Sequence, residues 1–154
     1  MRTDQIWRSE EQAIFALRGL YQRYGYTPYK MSQFEEYDLY VRNKDFLISD
    51  RIITFSGEGG KLMALKPDVT LSIVKNAPEA PGVVQKVYYS ENVYRDYREI
   101  MQAGLECVGD LTDYDIAEAV VLAAKSLALL GENYVLDISH MGLVGAVLNR
   151  LGFD

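Results

Sequence analysis

Between residues 84 and 109 the chain sets polar side chains at strand spacing: Glu91 and Arg95 on one run, Gln102 and Glu106 on the next. Both runs are rich in β-branched and aromatic residues and flank Arg95-Asp96-Tyr97-Arg98-Glu99, a pattern that predicts a long antiparallel hairpin with a charged tip. Successive side chains on a strand point to opposite faces. Gln102, Gly104 and Glu106 therefore share one face, and Met101, Ala103, Leu105 and Cys107 share the other, which reads as core. Glu91 and Arg95 also share a face. If that face is the one carrying Gln102 and Glu106, four hydrogen-bonding groups converge around the gap that Gly104 leaves. Such a floor suits a small, partly cationic ligand, because ligand donors need charged or polar acceptors where water is excluded. A half-solvated sheet face is the simpler reading on residue types alone, and spacing does not separate the two.

The elements around this hairpin follow from pattern. Ile6, Ile14, Leu17, Leu20, Tyr21 and Tyr24 recur at helical spacing, predicting an amphipathic helix from Asp4 to Tyr24 with Gly25 just beyond its end. Tyr26 to Phe34 alternates loosely and contains Pro28, so an extended strand near an edge or interface is expected, while Glu35 to Lys44 fits neither period. Arg51–Ser56 and Lys61–Leu65 flank Gly57-Glu58-Gly59-Gly60, the composition of a hairpin loop. A phosphate loop would need Ser or Thr after the lysine, where Leu62 stands. Pro67-Asp68-Val69-Thr70 opens a short helix to about Asn76, with Asp68 or Thr70 placed to cap it. After the central hairpin, a helix from Asp113 to Leu130 is rich enough in Ala, Val and Leu to imply burial on most sides. Asn133–Ser139 reads as a strand and Gly142–Leu151 as a helix, and no repeat appears. The order favours α+β: an antiparallel sheet flanked by helices.

Composition narrows the functional classes. A chain of 154 residues suits one domain, and 49% apolar with 25% charged residues is ordinary for a globular protein. A net charge of −6 argues against a broad nucleic-acid footprint, which needs clustered Lys and Arg. One cysteine excludes an internal disulfide, and one cysteine with one histidine argues against clustered zinc ligation and against a Cys/His catalytic pair. No cofactor or metal site is expected. With neither a long apolar run nor a secretory leader, no membrane association is expected and the cytoplasm is the default compartment. Cys107 reads as core filler and His140 as a local hydrogen-bonding residue.

Several stretches together resemble the class II aminoacyl-tRNA synthetase core of the histidyl type, and in particular its non-catalytic relative, the ATP phosphoribosyltransferase regulatory subunit. Tyr24-Gly25-Tyr26 and the extended segment after it resemble the first class II motif, although Ser32 stands where the family usually has proline. Leu65-Lys66-Pro67-Asp68-Val69-Thr70 resembles Leu-Arg-Pro-Glu-Gly-Thr, with the aspartate typical of the regulatory subunit. Tyr94-Arg95 resembles the Phe-Arg of the second motif, and Gln102-Ala103-Gly104-Leu105-Glu106 resembles the Gln-x-Gly-x-Glu that lines the histidine pocket.

The resemblance implies a class II synthetase-like antiparallel sheet flanked by helices, with residues 1–154 forming the N-terminal, truncated part of such a domain. It also implies a histidine-binding set: Asp68 and Thr70 on the α-amino group, Arg95 near the carboxylate, and Gln102 and Glu106 completing the pocket. An ammonium wants acceptors and a carboxylate wants a guanidinium, so the chemistry agrees. The departures matter as well. A working synthetase has Arg-x-Glu followed by a longer loop that grips ATP, whereas Tyr97 takes the glutamate's place here and three residues separate Arg95 from Glu99. Ile100-Met101-Gln102 replaces the usual Phe-His-Gln, and the third class II motif is absent from the sequence. Matches and departures together lead to the expectation of a subunit that is not an enzyme, senses free histidine, pairs with itself through its N-terminal helix and strand, and supports a separate short-form ATP phosphoribosyltransferase catalytic subunit. A fragment of a histidyl-tRNA synthetase and a scaffold with an empty pocket are the alternatives.

Overall fold

The computed structural model describes residues 9–43, 51–78 and 80–152. Within it the predicted hairpin is the longest feature, β5 (Val84–Arg95) against β6 (Arg98–Gly109), in unbroken antiparallel register from Val84↔Gly109 to Arg95↔Arg98. Asp96 and Tyr97 alone make the turn, both at positive φ (49° and 61°). Two such residues match the right-handed twist of the strands they join. Parallel to β5 lies β1 (Thr27–Pro28), in register Thr27↔Val87, so this sheet has the order β1-β5-β6 and one parallel pair. Pro28 has no N–H to give a second neighbour, which suits an edge.

A second sheet, β2-β4-β3, is antiparallel throughout: β2 (Phe34–Glu36), β3 (Thr54–Ser56) and β4 (Leu62–Leu65). The glycine-rich link between β3 and β4 is a turn, closed by Gly57 N–H on the Lys61 carbonyl at 2.8 Å, and carries no phosphate-loop geometry. The ambiguous stretch resolves into β2 followed by α2 (Tyr37–Arg42), and Lys44 lies outside the described residues.

Helices cover both faces of the first sheet. On one face α1 (Ser9–Arg23) and α4 (Asp113–Leu130) pack over Tyr26, Tyr88, Leu105 and Cys107, with Leu17, Leu20, Tyr21 and Leu122 buried between them. On the other, α3 (Thr70–Lys75) brings Ile73 against Val87, Tyr89 and Val93. The N-terminal helix is thus as expected from Ser9 onward; the start at Asp4 lies outside the described residues.

Three expectations fail. Asn133–Ser139 pairs with no strand among the described residues, and Val135 is 90% exposed: Tyr134, Leu136 and Ile138 alternate suitably but meet no ladder partner. The following helix, α5 (Met141–Leu151), is capped by His140, whose Nδ1 accepts from Leu143 N–H, and buries none of its residues. α4 buries one stripe only, Asp115, Glu118 and Leu122, and leaves Ile116, Val121 and Leu130 exposed. The Met101/Ala103 end of the second hairpin face runs past the helices, so Met101 is 51% exposed and only Leu105 and Cys107 are core. Among the described residues no helix is long and apolar enough to cross a membrane.

Candidate functional site

The register puts Glu91 opposite Gln102, Tyr89 opposite Gly104 and Val87 opposite Glu106, all on the face covered by α3. Side chains directly opposite in an antiparallel pair lie on the same side. β4 ends at Leu65 and the chain crosses this face through Lys66-Pro67-Asp68 before entering α3, which delivers Asp68 and Thr70 to the Gln102/Glu106 side. All five residues singled out for ligand binding therefore come together.

Arg95, at the tip end of the group, joins Gln102 and Asp68. Its Nε donates to the Pro67 carbonyl at 2.6 Å, its Nη2 donates to Gln102 Oε1 at 2.9 Å, and the same nitrogen is 3.6 Å from Asp68 Oδ2. A planar guanidinium fixed by two hydrogen bonds is pre-aimed rather than free to search. Asp68, one residue before the Val69 N-cap of α3, accepts from the first-turn N–H of Leu71 at 3.3 Å, so it meets a free helix donor as foreseen while also making the ion pair. The Thr70 hydroxyl instead donates to Glu106 Oε1 at 2.6 Å.

Glu106 is the least satisfied charge. Burial pushes its carboxyl up, the Thr70 hydrogen bond opposes that, and the nearby Asp68 carboxylate adds to the rise. Among the described residues no cation lies within ion-pair reach of it, since Arg95 turns to Asp68 and to neutral carbonyl oxygens. Asp68 takes the one guanidinium and Glu106 is left with the Thr70 hydroxyl, an acceptor that a ligand N–H would satisfy.

Two features depart from the residue-type reading. Glu91 does not join the group: its Oε2 takes the Nζ of Lys66 at 2.8 Å, and Lys66 is fully buried. The gap at Gly104 is not open either. Tyr89 crosses it, so that a Cβ at position 104 would stand 2.8 Å from the phenol oxygen. That oxygen accepts from Gln102 Nε2 at 3.3 Å. Tyr89 and Lys66 were both missed from sequence. A large aromatic facing a glycine was a usable signal once the register was counted, whereas nothing in the sequence marks Lys66 as buried. No histidine or cysteine stands in the group; Cys107 points to the helical core on the opposite face. A cavity of about 500 Å³ lies away from it, between β2, α2 and Lys75 of α3.

The profile of the histidyl-tRNA synthetase family matches residues 3–154. A histidine–tRNA ligase from Archaeoglobus fulgidus is 28% identical over 148 residues, covering 90% of this chain and 36% of the ligase. An ATP phosphoribosyltransferase regulatory subunit/histidyl-tRNA synthetase from Bacillus halodurans superposes with a TM-score of 0.69 at 20% identity, over 81% of this chain and 34% of that one. The ATP phosphoribosyl transferase (HisG:HisZ) complex from Thermotoga maritima gives a TM-score of 0.58 at 19% identity, over 79% and 43%. These two structural likenesses are of fold. The chain spans about a third of the length of the ligases it matches.

Proposed function

The chain belongs to the histidyl-tRNA synthetase family, and from that premise we propose that it is the non-catalytic, histidine-sensing regulatory subunit of an ATP phosphoribosyltransferase, acting at the first step of histidine biosynthesis. Free histidine binds at Asp68, Thr70, Arg95, Gln102 and Glu106. Its ammonium is taken by Asp68 and Thr70, its carboxylate by Arg95, and an imidazole N–H by the under-neutralised Glu106, with Gln102 beside it. The chain pairs with a second copy through α1 and the segment after it. A separate short-form transferase does the chemistry.

The observation that carries the proposal is the hairpin tip. β5 and β6 are joined by Asp96 and Tyr97 alone, directly beyond Arg95, and Tyr97 is 80% exposed. A two-residue turn has no length with which to fold over adenine and phosphates, so amino-acid recognition survives without the closure that activation by ATP requires. Feedback then needs histidine to prefer one state of the complex, and reciprocal coupling carries that preference to the partner.

The identity to histidine–tRNA ligases favours a second reading, part of a ligase in which Arg95 stabilises charge at the α-phosphate. Histidine-dependent exchange of pyrophosphate into ATP separates the two. The regulatory reading predicts exchange at background while histidine still binds. Robust exchange by the full-length protein establishes the ligase instead.

A further inference from the structure

Tyr89 is placed by register between the two residues that close the proposed histidine site, with Gln102 to one side of its partner Gly104 and Glu106 to the other. It is 5% exposed and its ring spans Gly104: a Cβ there would lie 2.8 Å from the hydroxyl and 3.0 Å from Cζ. Glycine is thus required so that the ring can lie flat across the sheet. The carboxamide of Gln102 is then held at both ends, its oxygen by Arg95 Nη2 at 2.9 Å and its nitrogen by the Tyr89 oxygen at 3.3 Å. An amide with a charged donor at one end and an acceptor at the other has one orientation available, because the flipped form would set N–H against guanidinium. Burial first, then the Glu106 and Asp68 carboxylates, push the phenol up to about 12, so it stays protonated at neutral pH.

We infer that Tyr89 is a positioning residue of the histidine site: it fills the floor over Gly104 and, through its hydroxyl, fixes the carboxamide of Gln102 in the ligand-reading orientation. The ligand accordingly lies above the Tyr89 ring rather than in the glycine notch. This inference rests on the histidine-binding reading of the site.

Tyr89→Phe removes the hydroxyl and keeps the ring. Titration calorimetry with histidine on the purified protein is expected to show binding weakened about three- to tenfold, the size of one net hydrogen bond. The thermal midpoint should stay within about 2 °C, on the scale of a sub-kilocalorie change. Because Tyr89 acts through Gln102, the Tyr89→Phe/Gln102→Ala double variant should bind no more weakly than Gln102→Ala alone. Gly104→Ala reaches the same contact from the partner strand and should also weaken binding, less so in the Tyr89→Phe background, where the 2.8 Å contact is gone. Wild-type binding with undiminished affinity in Tyr89→Phe, or losses that simply add in the double variant, would overturn the inference while leaving the histidine site standing. No saturable histidine heat from the wild type would overturn the site, and this inference with it.

Discussion

Each face of the central hairpin carries a basic side chain beside two carboxylates, Lys86 on one and Arg95 on the other, with a separate Lys66–Glu91 pair on the face of Arg95. On the α1/α4 face Lys86 Nζ meets both partners directly, Glu118 at 2.7 Å and Asp115 at 3.0 Å, with the rings of Tyr26 and Tyr114 within 6 Å of it. Asp115 gains two more donors from the capping box of α4, Thr112 Oγ1 at 2.7 Å and Thr112 N–H at 3.0 Å. These hydrogen bonds, with Lys86 behind them, pull the Asp115 carboxyl down to about 2. On the α3 face Arg95 spends two of its hydrogen bonds on neutral oxygens and approaches only Asp68, and Glu106 is pushed up rather than down. With the same count of charges, the first cluster closes on itself and holds α4 to the sheet. The second keeps an acceptor in hand, which is what a site for a cationic or N–H-rich ligand requires.

The contrast is most sharply broken by removing each cluster's anchor. Lys86→Met should leave Asp115 and Glu118 without their cation and lower the thermal midpoint by on the order of 5–10 °C, because an uncompensated charge costs more than a missing pair. Histidine affinity of the folded variant should be unchanged, as calorimetry well below that midpoint would show. Glu106→Gln should do the reverse, weakening histidine binding at least tenfold, about 1.4 kcal/mol or more. Its folded state should be as stable as the wild type or slightly more so.

Acid titration sharpens the comparison because the two shifts have opposite signs. A carboxyl raised in the folded state penalises folding above its folded pKa, and the penalty vanishes below its unfolded value near 4.5. The stability advantage of Glu106→Gln should therefore fade as pH falls to that value. A depressed carboxyl stabilises above its unfolded value of 3.8 and loses that contribution as pH falls through about 2. The deficit of Asp115→Asn should accordingly persist at pH 4 and shrink only toward pH 2, measured by urea unfolding at each pH. The smallest effect expected is Thr112→Ala, about 1 kcal/mol for a lost helix cap.

Much of this was legible in the sequence because hairpin patterning is local. Alternation in 84–109 shows which residues of each strand share a face, and the two-residue turn then sets Gln102 and Glu106 on the face of Arg95, a pairing the alternation alone left conditional. Asp68 and Thr70 entered the site only through the resemblance of residues 65–70 to a histidyl-type motif; their own pattern signals a helix cap, and of the two only Asp68 meets a helix N–H. Long-range partners were not. Glu91 shares the right face, but Lys66 claims it from 25 residues away, and no local pattern announces a buried lysine. Tyr89 looked like one more strand aromatic until the register set it opposite Gly104. The same limit explains the two over-readings of burial: the apolar residues of α4 and of the Met101/Ala103 face state that surface is available for packing, but not what packs on it.

The most direct test of histidine sensing is titration of histidine into the purified protein without ATP, run beside Glu106→Gln. Saturable heat from the wild type that is at least tenfold weaker in the variant is the predicted result. A wild type with no saturable heat, or a variant that binds as tightly, contradicts it.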